Sequence, residues 1–257
     1  MKRIIFSIFT DKLNKHTSVS DYKQQQFLKY KDRIIAAHKS YAMQCNADYE
    51  LLTSIETDYD ELQFNKLIKL EELSDSYDEI VYIDFDVVPQ NDKSIFDSFD
   101  LNNICAYSIP SPVPFDELRF RMQDDNWHKM DMYTKTCAKN AMLLLDDING
   151  SDNCINTGVV AANKKSIEML RFSENLIHCK NKLDLAIADN LYPKEIHNRW
   201  IYNNEVFVSY LIERYNIPYI NIGIQWNFIL DHISPQPSAA AYLIHHVNKE
   251  FELTFNA

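Results

Sequence analysis

Two carboxylates stand one residue apart where the chain leaves its most apolar segment. Glu79-Ile80-Val81-Tyr82-Ile83 reads as a buried strand and runs straight into Asp84-Phe85-Asp86. Paired carboxylates at the end of such a strand are costly unless something neutralises them. A divalent cation does so, because Mn²⁺ or Mg²⁺ takes hard oxygen ligands and keeps coordination places for water and substrate phosphates. If the segment stays extended, the two-residue period of a strand puts both carboxylates on one side; a turn is the other possibility. A solvated acidic turn is the plainer reading of any Asp-x-Asp. The apolar run ahead of this one argues for metal chemistry.

The elements that must position this pair follow from periodicity. Residues 3–9 read as a first strand ending at Thr10-Asp11. Tyr22, Phe27, Tyr30, Ile34, Ala37 and Tyr41 recur at helical spacing over 21–45, and 48–53 reads as a short second strand. Phe64, Leu67, Ile68, Leu70 and Leu73 mark another helix before the strand 79–83. Strand and helix alternate as in a parallel sheet covered on both faces, where ligands sit beyond the carboxyl ends of strands. The second half is less regular. It predicts a strand at 103–108, an irregular insertion at 109–133 and a helix at 134–146. A turn at Asn156-Thr157-Gly158 then feeds a strand to Ala162, followed by helices at 164–178 and 203–214. Strand-like segments at 217–224 and 241–247 complete the pattern.

Composition excludes several classes. The chain has 257 residues, 46% of them apolar and 25% charged, enough to bury a core. Three glycines, with neither GxGxxG nor GxxxxGK[ST], argue against a glycine-rich dinucleotide site or P-loop. A net charge of −11 argues against a nucleic-acid surface. Cys45, Cys105, Cys137, Cys154 and Cys179 form no CxxC pair, so neither a disulfide framework nor a zinc site is expected. The apolar start Ile4–Phe9 is too short for a signal peptide, and no stretch approaches the ~20 apolar residues of a membrane span. A soluble, cytoplasmic protein is expected; a viral origin, with work in the host cytoplasm, fits the base-composition bias equally well.

With these pieces in place, Ile80-Val81-Tyr82-Ile83-Asp84-Phe85-Asp86-Val87-Val88-Pro89 resembles the strand and DxD motif of the GT-A nucleotide-sugar glycosyltransferases, the family-8-like and small viral members among them. Further segments follow in that family's order, over roughly residues 3 to 250. By resemblance, Phe9-Thr10-Asp11 lies at the nucleotide base, Lys66 in Phe64-Asn65-Lys66-Leu67 near the nucleotide, and Asp84 and Phe85 against the donor. Asn156-Thr157-Gly158-Val159 resembles the turn beside the donor sugar, and Asn203-Asn204-Glu205 the pair near the acceptor. Trp226-Asn227 has a counterpart as well, which groups Trp226 with Asn204 on the acceptor side. Ile244-His245-His246 resembles the late histidine that supplies a third metal ligand, and Lys249 falls where a diphosphate contact is useful. The family's usual glycine after that histidine is absent. His245 is favoured over His246, because Ile-His after a strand is the commoner arrangement. The implied fold is α/β, GT-A: a mostly parallel twisted sheet flanked by helices. A single domain over 1–257 would comprise a nucleotide-binding half at about 1–108 and an acceptor half at about 109–257, with the irregular insertion on the acceptor side.

The implied reaction moves a sugar from a nucleotide-diphosphate donor, UDP-linked by resemblance, to a hydroxyl of a glycan or other acceptor. A metal on Asp84, Asp86 and His245 would stabilise the leaving diphosphate, helped by Lys249 or Lys66. Glu205 is the candidate general base; its alternative role is an acidic helix start complementing the dipole. Trp127, with His128, Asp124 and Asp125 beside it, is the other acceptor-side candidate. Two rivals stand against this reading. Asp-x-Asp-x-Val after an apolar strand also resembles the haloacid-dehalogenase-type phosphatases, with Asp84 as nucleophile, Asp146-Asp147 on Mg²⁺, and Ser108 and Lys139 completing the set. The second is a binding module without turnover.

Overall fold

The computed structural model describes residues 1–10, 21–53, 59–110, 127–196, 202–230 and 236–256. The chain divides into two compact units: Met1–Tyr107 with Thr157–Glu168 and Tyr219–Ala257, and Ser108–Asn156 with Met169–Pro218.

The first unit is organised around β3 (Glu79–Ile83). Its Ile80, Val81 and Ile83 are fully buried, each contributing about 1.5–3 kcal/mol by leaving water. On one side lies β1 (Arg3–Ile8), parallel to β3 and, beyond it, to β2 (Asp48–Leu52). On the other lies β6 (Asn153–Asn163), antiparallel to β3 with Ile83 opposite Val159. β5 (Ile104–Pro110) and β7 (Tyr219–Asn221), parallel to each other, complete a six-stranded sheet in the order β2-β1-β3-β6-β5-β7. Helices α1 (Asp21–Gln44) and α2 (Tyr59–Ser74) are the crossovers that parallel neighbours require. Tyr30, Ile34, His38, Tyr41 and Ala42 form the buried stripe of α1 at three- and four-residue spacing, continued by Cys45 just past its end. Asn46, with φ 52°, then ends the helix in the left-handed conformation usually given to glycine.

A second, three-stranded sheet was not legible in the sequence. It joins β4 (Val87–Pro89), β8 (Phe228–Ile229) and β9 (Leu243–His245) in the order β4-β9-β8. β4 and β9 are antiparallel, with Val87 opposite His245; β8 and β9 are parallel, with Ile229 opposite His245.

After the short α3 (Ile95–Ser98) of the first unit, the second unit contains α4 (Trp127–Leu144), which begins earlier than the expected 134 and takes in part of the predicted irregular stretch. The helix expected at 164–178 is two helices, α5 (Lys164–Leu170), which starts in the first unit, and α6 (Phe172–Ala188). They are separated by Arg171 at φ 43°. The helix expected at 203–214 is α7 (Asn204–Arg214). Asn156-Thr157-Gly158 is not a turn but part of β6, and the Gly158 carbonyl accepts from the amide of Asp84, the residue after β3. Among the described residues no helix is long and apolar enough to cross a membrane, and all five cysteines are free thiols.

Behind the end of β3, His38 ties three strands to α1. Its Nε2 donates to the Val87 carbonyl at 2.6 Å, and its Nδ1 accepts from the Ser7 and Tyr49 hydroxyls at 3.2 and 3.1 Å. Burial lowers the His38 pKa to about 4, against the partial compensation of the Val87 bond and the Asp86 charge. The folded value lies below the unfolded one, so this contribution to stability is complete above about pH 6.5 and is lost as the pH falls toward 4. At about 1.4 kcal/mol per unit the effect is of order 3 kcal/mol. His38→Gln is expected to melt earlier than the wild type at pH 7.5 but to lose less Tm between pH 7 and pH 5. Scanning fluorimetry across that range checks the sign.

Candidate active site

Asp84 and Asp86 sit on a turn. The Asp84 amide donates to the Gly158 carbonyl at 2.7 Å, which carries the β3–β6 ladder one step past the strand. The Val87 amide returns to the Asp84 carbonyl at 2.9 Å, closing a four-residue turn before β4 begins. Of the two conformations open to the sequence, the chain takes the turned one. Phe85 is the anchor: it is buried against Phe9 and Phe27, with ring centroids 4.5 and 5.8 Å away. With Phe85 turned into the core, Asp84 and Asp86 are left at the rim beyond the carboxyl end of β3.

The third member arrives from β9. His245 Nε2 lies 3.6 Å from Asp86 Oδ2 and 3.8 Å from Asp84 Oδ2. One ligand atom from each of Asp84, Asp86 and His245 lies within 4.8 Å of the others. Register decides which of the adjacent histidines joins: His245 pairs with Val87, while the His246 amide donates to the Asp86 carbonyl at 2.9 Å. The His246 ring points elsewhere, its Nε2 2.9 Å from Thr254 Oγ1 and its face against Phe251. Burial lowers its pKa to about 4.

Two lysines complete the charge balance. Lys66 of α2 is buried, and its ammonium is 3.2 Å from Asp84 Oδ1, the oxygen that also accepts from the Tyr82 hydroxyl. Lys249, at φ 63° in the turn after β9, donates to Asp86 Oδ2. Burial alone would raise the Asp86 carboxyl; Lys249 and His245 beside it outweigh that and hold the pKa well below the usual carboxylate value. Two carboxylates and an imidazole fit a small, hard to borderline divalent cation such as Mg²⁺ or Mn²⁺. The cluster is consistent with a divalent metal site.

The remaining candidates fall out as follows. Phe9 and Thr10 are buried at the end of β1, and Thr157 is buried in β6. Asp11, Asp124 and Asp125 lie outside the described residues, as do the side chains of Trp127 and His128. Trp226, expected at the acceptor, is instead a core residue, 3% exposed and packed on Tyr242 and Phe99 at 4.7 and 5.4 Å.

In the second unit, Glu205 opens α7 behind Asn203, whose Oδ1 accepts from the Glu205 and Val206 amides. Asn204 is buried beside it. The Glu205 carboxylate takes the Asn156 side-chain amide at 3.0 Å on Oε1 and the Lys135 ammonium at 2.5 Å on Oε2. Lys135 is the member that sequence reading missed; it stands in a helix whose register gave no signal of that pairing.

The phosphatase reading finds no support, and its further candidates have other partners. Lys139 is engaged by Glu213, by both oxygens of Ser151 and by the Asn153 carbonyl. Asp146 is held by Lys182 and Tyr210, and Ser108 is buried.

Comparison with known proteins bears on the fold. No protein-family model matches the chain, and no curated protein matches it. Among solved structures it is similar to a glycosyltransferase involved in the glycosylation of the major capsid of PBCV-1, at 15% identity and a TM-score of 0.53. That match covers 96% of this chain and 93% of the other. The fold is GT-A. The apo WbbM bifunctional glycosyltransferase is similar at 12% identity and a TM-score of 0.49, covering 96% of this chain but 46% of that longer one. Mouse xyloside xylosyltransferase 1 is similar at 12% identity and a TM-score of 0.44, covering 96% and 98%. In this GT-A chain the carboxylate pair, the β9 histidine and both lysines belong to the first unit.

Lys249 donates to a carboxylate that would help hold a divalent ion, and like charges at short range repel. Lys249→Met is therefore expected to bind Mn²⁺ about tenfold more tightly than the wild type without nucleotide, a gain of about 1.4 kcal/mol. His246→Gln should leave the affinity within about twofold, since its ring faces away. Electron paramagnetic resonance titration of free Mn²⁺ reads both.

Proposed function

We propose that this chain is a metal-dependent glycosyltransferase, transferring a sugar from a nucleotide-diphosphate donor to a hydroxyl of a glycan. The observation that carries this reading is the convergence of Asp84, Asp86 and His245 beyond the carboxyl end of β3 in a GT-A fold.

Asp84, Asp86 and His245 would hold Mn²⁺ or Mg²⁺, which when bound supplies Lewis-acid stabilisation to the departing diphosphate. Lys249 is placed to exchange Asp86 for a phosphate oxygen, adding a positive charge where negative charge develops. Lys66 and Tyr82 hold Asp84 in one orientation, so one carboxylate oxygen is occupied by protein donors and the other faces His245. Phe9, Thr10 and Asp11 are assigned to the nucleotide, and Asn156, Thr157 and Gly158 to the donor sugar, by resemblance. Glu205 is the proposed proton acceptor for the attacking hydroxyl, with Asn156 and Lys135 fixing its carboxylate. UDP is the donor nucleotide proposed by the same resemblance.

A thermal-shift screen of nucleotide sugars with and without Mn²⁺ tests the donor assignment, because a ligand of the native state raises the Tm by mass action. The expected result is a Tm rise for one class of nucleotide sugar, present with Mn²⁺ and absent without it. Asp86→Asn should remove that shift while keeping the unliganded Tm; an unchanged Mn²⁺-dependent shift in this variant would refute the metal assignment. Glu205→Gln should lower kcat for transfer by about 10²- to 10⁴-fold, the usual worth of a general base, with donor Kd unchanged. Normal transfer by that variant removes Glu205 from the reaction.

A further inference from the structure

Asn227 is buried without exposure, and its Oδ1 lies 3.0 Å from His245 Nδ1. The contact carries direction. A carbonyl oxygen only accepts, so the proton of a neutral imidazole sits on Nδ1 and the lone pair on Nε2. Nε2 is the atom 3.6 and 3.8 Å from the two carboxylates. In the opposite tautomer an N–H would point at them and no ligand would be ready.

We propose that Asn227 is a positioning residue that sets the His245 tautomer and aims its Nε2 lone pair at the Asp84–Asp86 pair. The proposal rests on the metal-site reading given above. Metal-bound histidines generally depend on such a partner at the far nitrogen, and its loss costs about 10- to 100-fold in metal affinity.

The backbone is built to deliver this amide. Gly223, at φ 78°, starts a single 3₁₀ turn over Ile224–Trp226. Trp226 plugs that turn into the core against Tyr242, and the Tyr242 amide bonds the Gln225 carbonyl at 2.7 Å. Asn227 follows with φ −156° and ψ 64°, its own amide closing onto the Ile224 carbonyl at 3.2 Å. β8 then runs beside β9, and the Leu230 amide bonds the His245 carbonyl at 2.9 Å. Asn227, the residue just before β8, and the ring it orients at the end of β9 are thus held together by the β8–β9 pairing of one small sheet. This also accounts for a buried Trp-Asn pair whose tryptophan offers no open face to a sugar.

The test uses the full chain. Long-range ¹H–¹⁵N NMR of the metal-free protein reports the His245 tautomer directly, and Mn²⁺ titration by electron paramagnetic resonance gives the affinity. The wild type should show the Nδ1–H form. Asn227→Ala should lose that uniformity and bind Mn²⁺ about 10- to 100-fold more weakly. Asn227→Asp, which keeps the acceptor, should return affinity to within about threefold of the wild type. An Nε2–H tautomer in the wild type overturns the proposal even if the variants fail to fold. Equal affinity loss in the two variants also overturns it, since that is what a purely structural amide would give. Asp86→Asn is the separate control: wild-type Mn²⁺ affinity there would sink the metal site itself, while the NMR tautomer would still stand as a measurement on Asn227.

Discussion

Negative charge collected at the end of a buried strand has to be answered by something, and most of the first unit's polar architecture is that answer. β3 delivers Asp84 into a turn whose hydrogen bonds are all backbone, so neither carboxylate is consumed in making the turn. Positive partners then come from separate elements: Lys66 from α2 to Asp84, Lys249 from beyond β9 to Asp86. His245 faces both. Buried ion pairs of this kind contribute little net stability, because desolvation offsets most of the attraction. An apolar pair of similar volume would hold the fold as well. Net stability therefore does not account for gathering these groups at one rim.

The apolar side of the same turn does the structural task. Phe85, between the two aspartates, packs with Phe9 and Phe27, and Phe27 in turn meets Phe251 at 5.7 Å. Phe251 also lies on Tyr30 and His246. The ends of β1 and β3, the face of α1 and the segment after β9 thus close on one aromatic cluster. His38 reinforces it from behind through Val87. The Asp-Phe-Asp triplet has a division of labour: the flanking carboxylates stand at the rim near His245, and the middle residue fixes them to the core.

How legible this was in the sequence depended on the range of the interaction. β1, α1, β2, α2 and β3 were readable because each carries its own periodicity, and their alternation dictated a parallel sheet. β4 and β8 were not, because three and two residues are too short for any period and exist only by pairing with β9. The carboxylate pair was readable as a local oddity, charge directly after an apolar run. His245 was favoured over His246 by resemblance alone; what separates them physically is a register set by Val87, more than 150 positions earlier. Lys135 gave no local signal, and Asn227 stood out only as part of a Trp-Asn segment with a family counterpart: a lysine in a helix and an amide after a tryptophan show no role until the partner is in place. Trp226 misled because residue type suggests a stacking platform, whereas burial decides whether a face is available.

The scarcity of glycine joins these observations. Chains that bind phosphate through backbone amides need glycine where the loop must take positive φ and approach the ligand closely. With three glycines in 257 residues, that solution is not open here. Left-handed positions are filled instead by Asn46, Asp147, Asn190 and Asn216, whose short polar side chains tolerate the conformation, and by Arg171 and Lys249. The last of these is informative. A lysine at φ 63° has no local advantage there, yet this backbone brings its ammonium to Asp86. A site of this kind would recognise a diphosphate through charge, cation and lysine together. Because such recognition is set by side chains and not by a glycine loop, a chain with almost no glycine can build it.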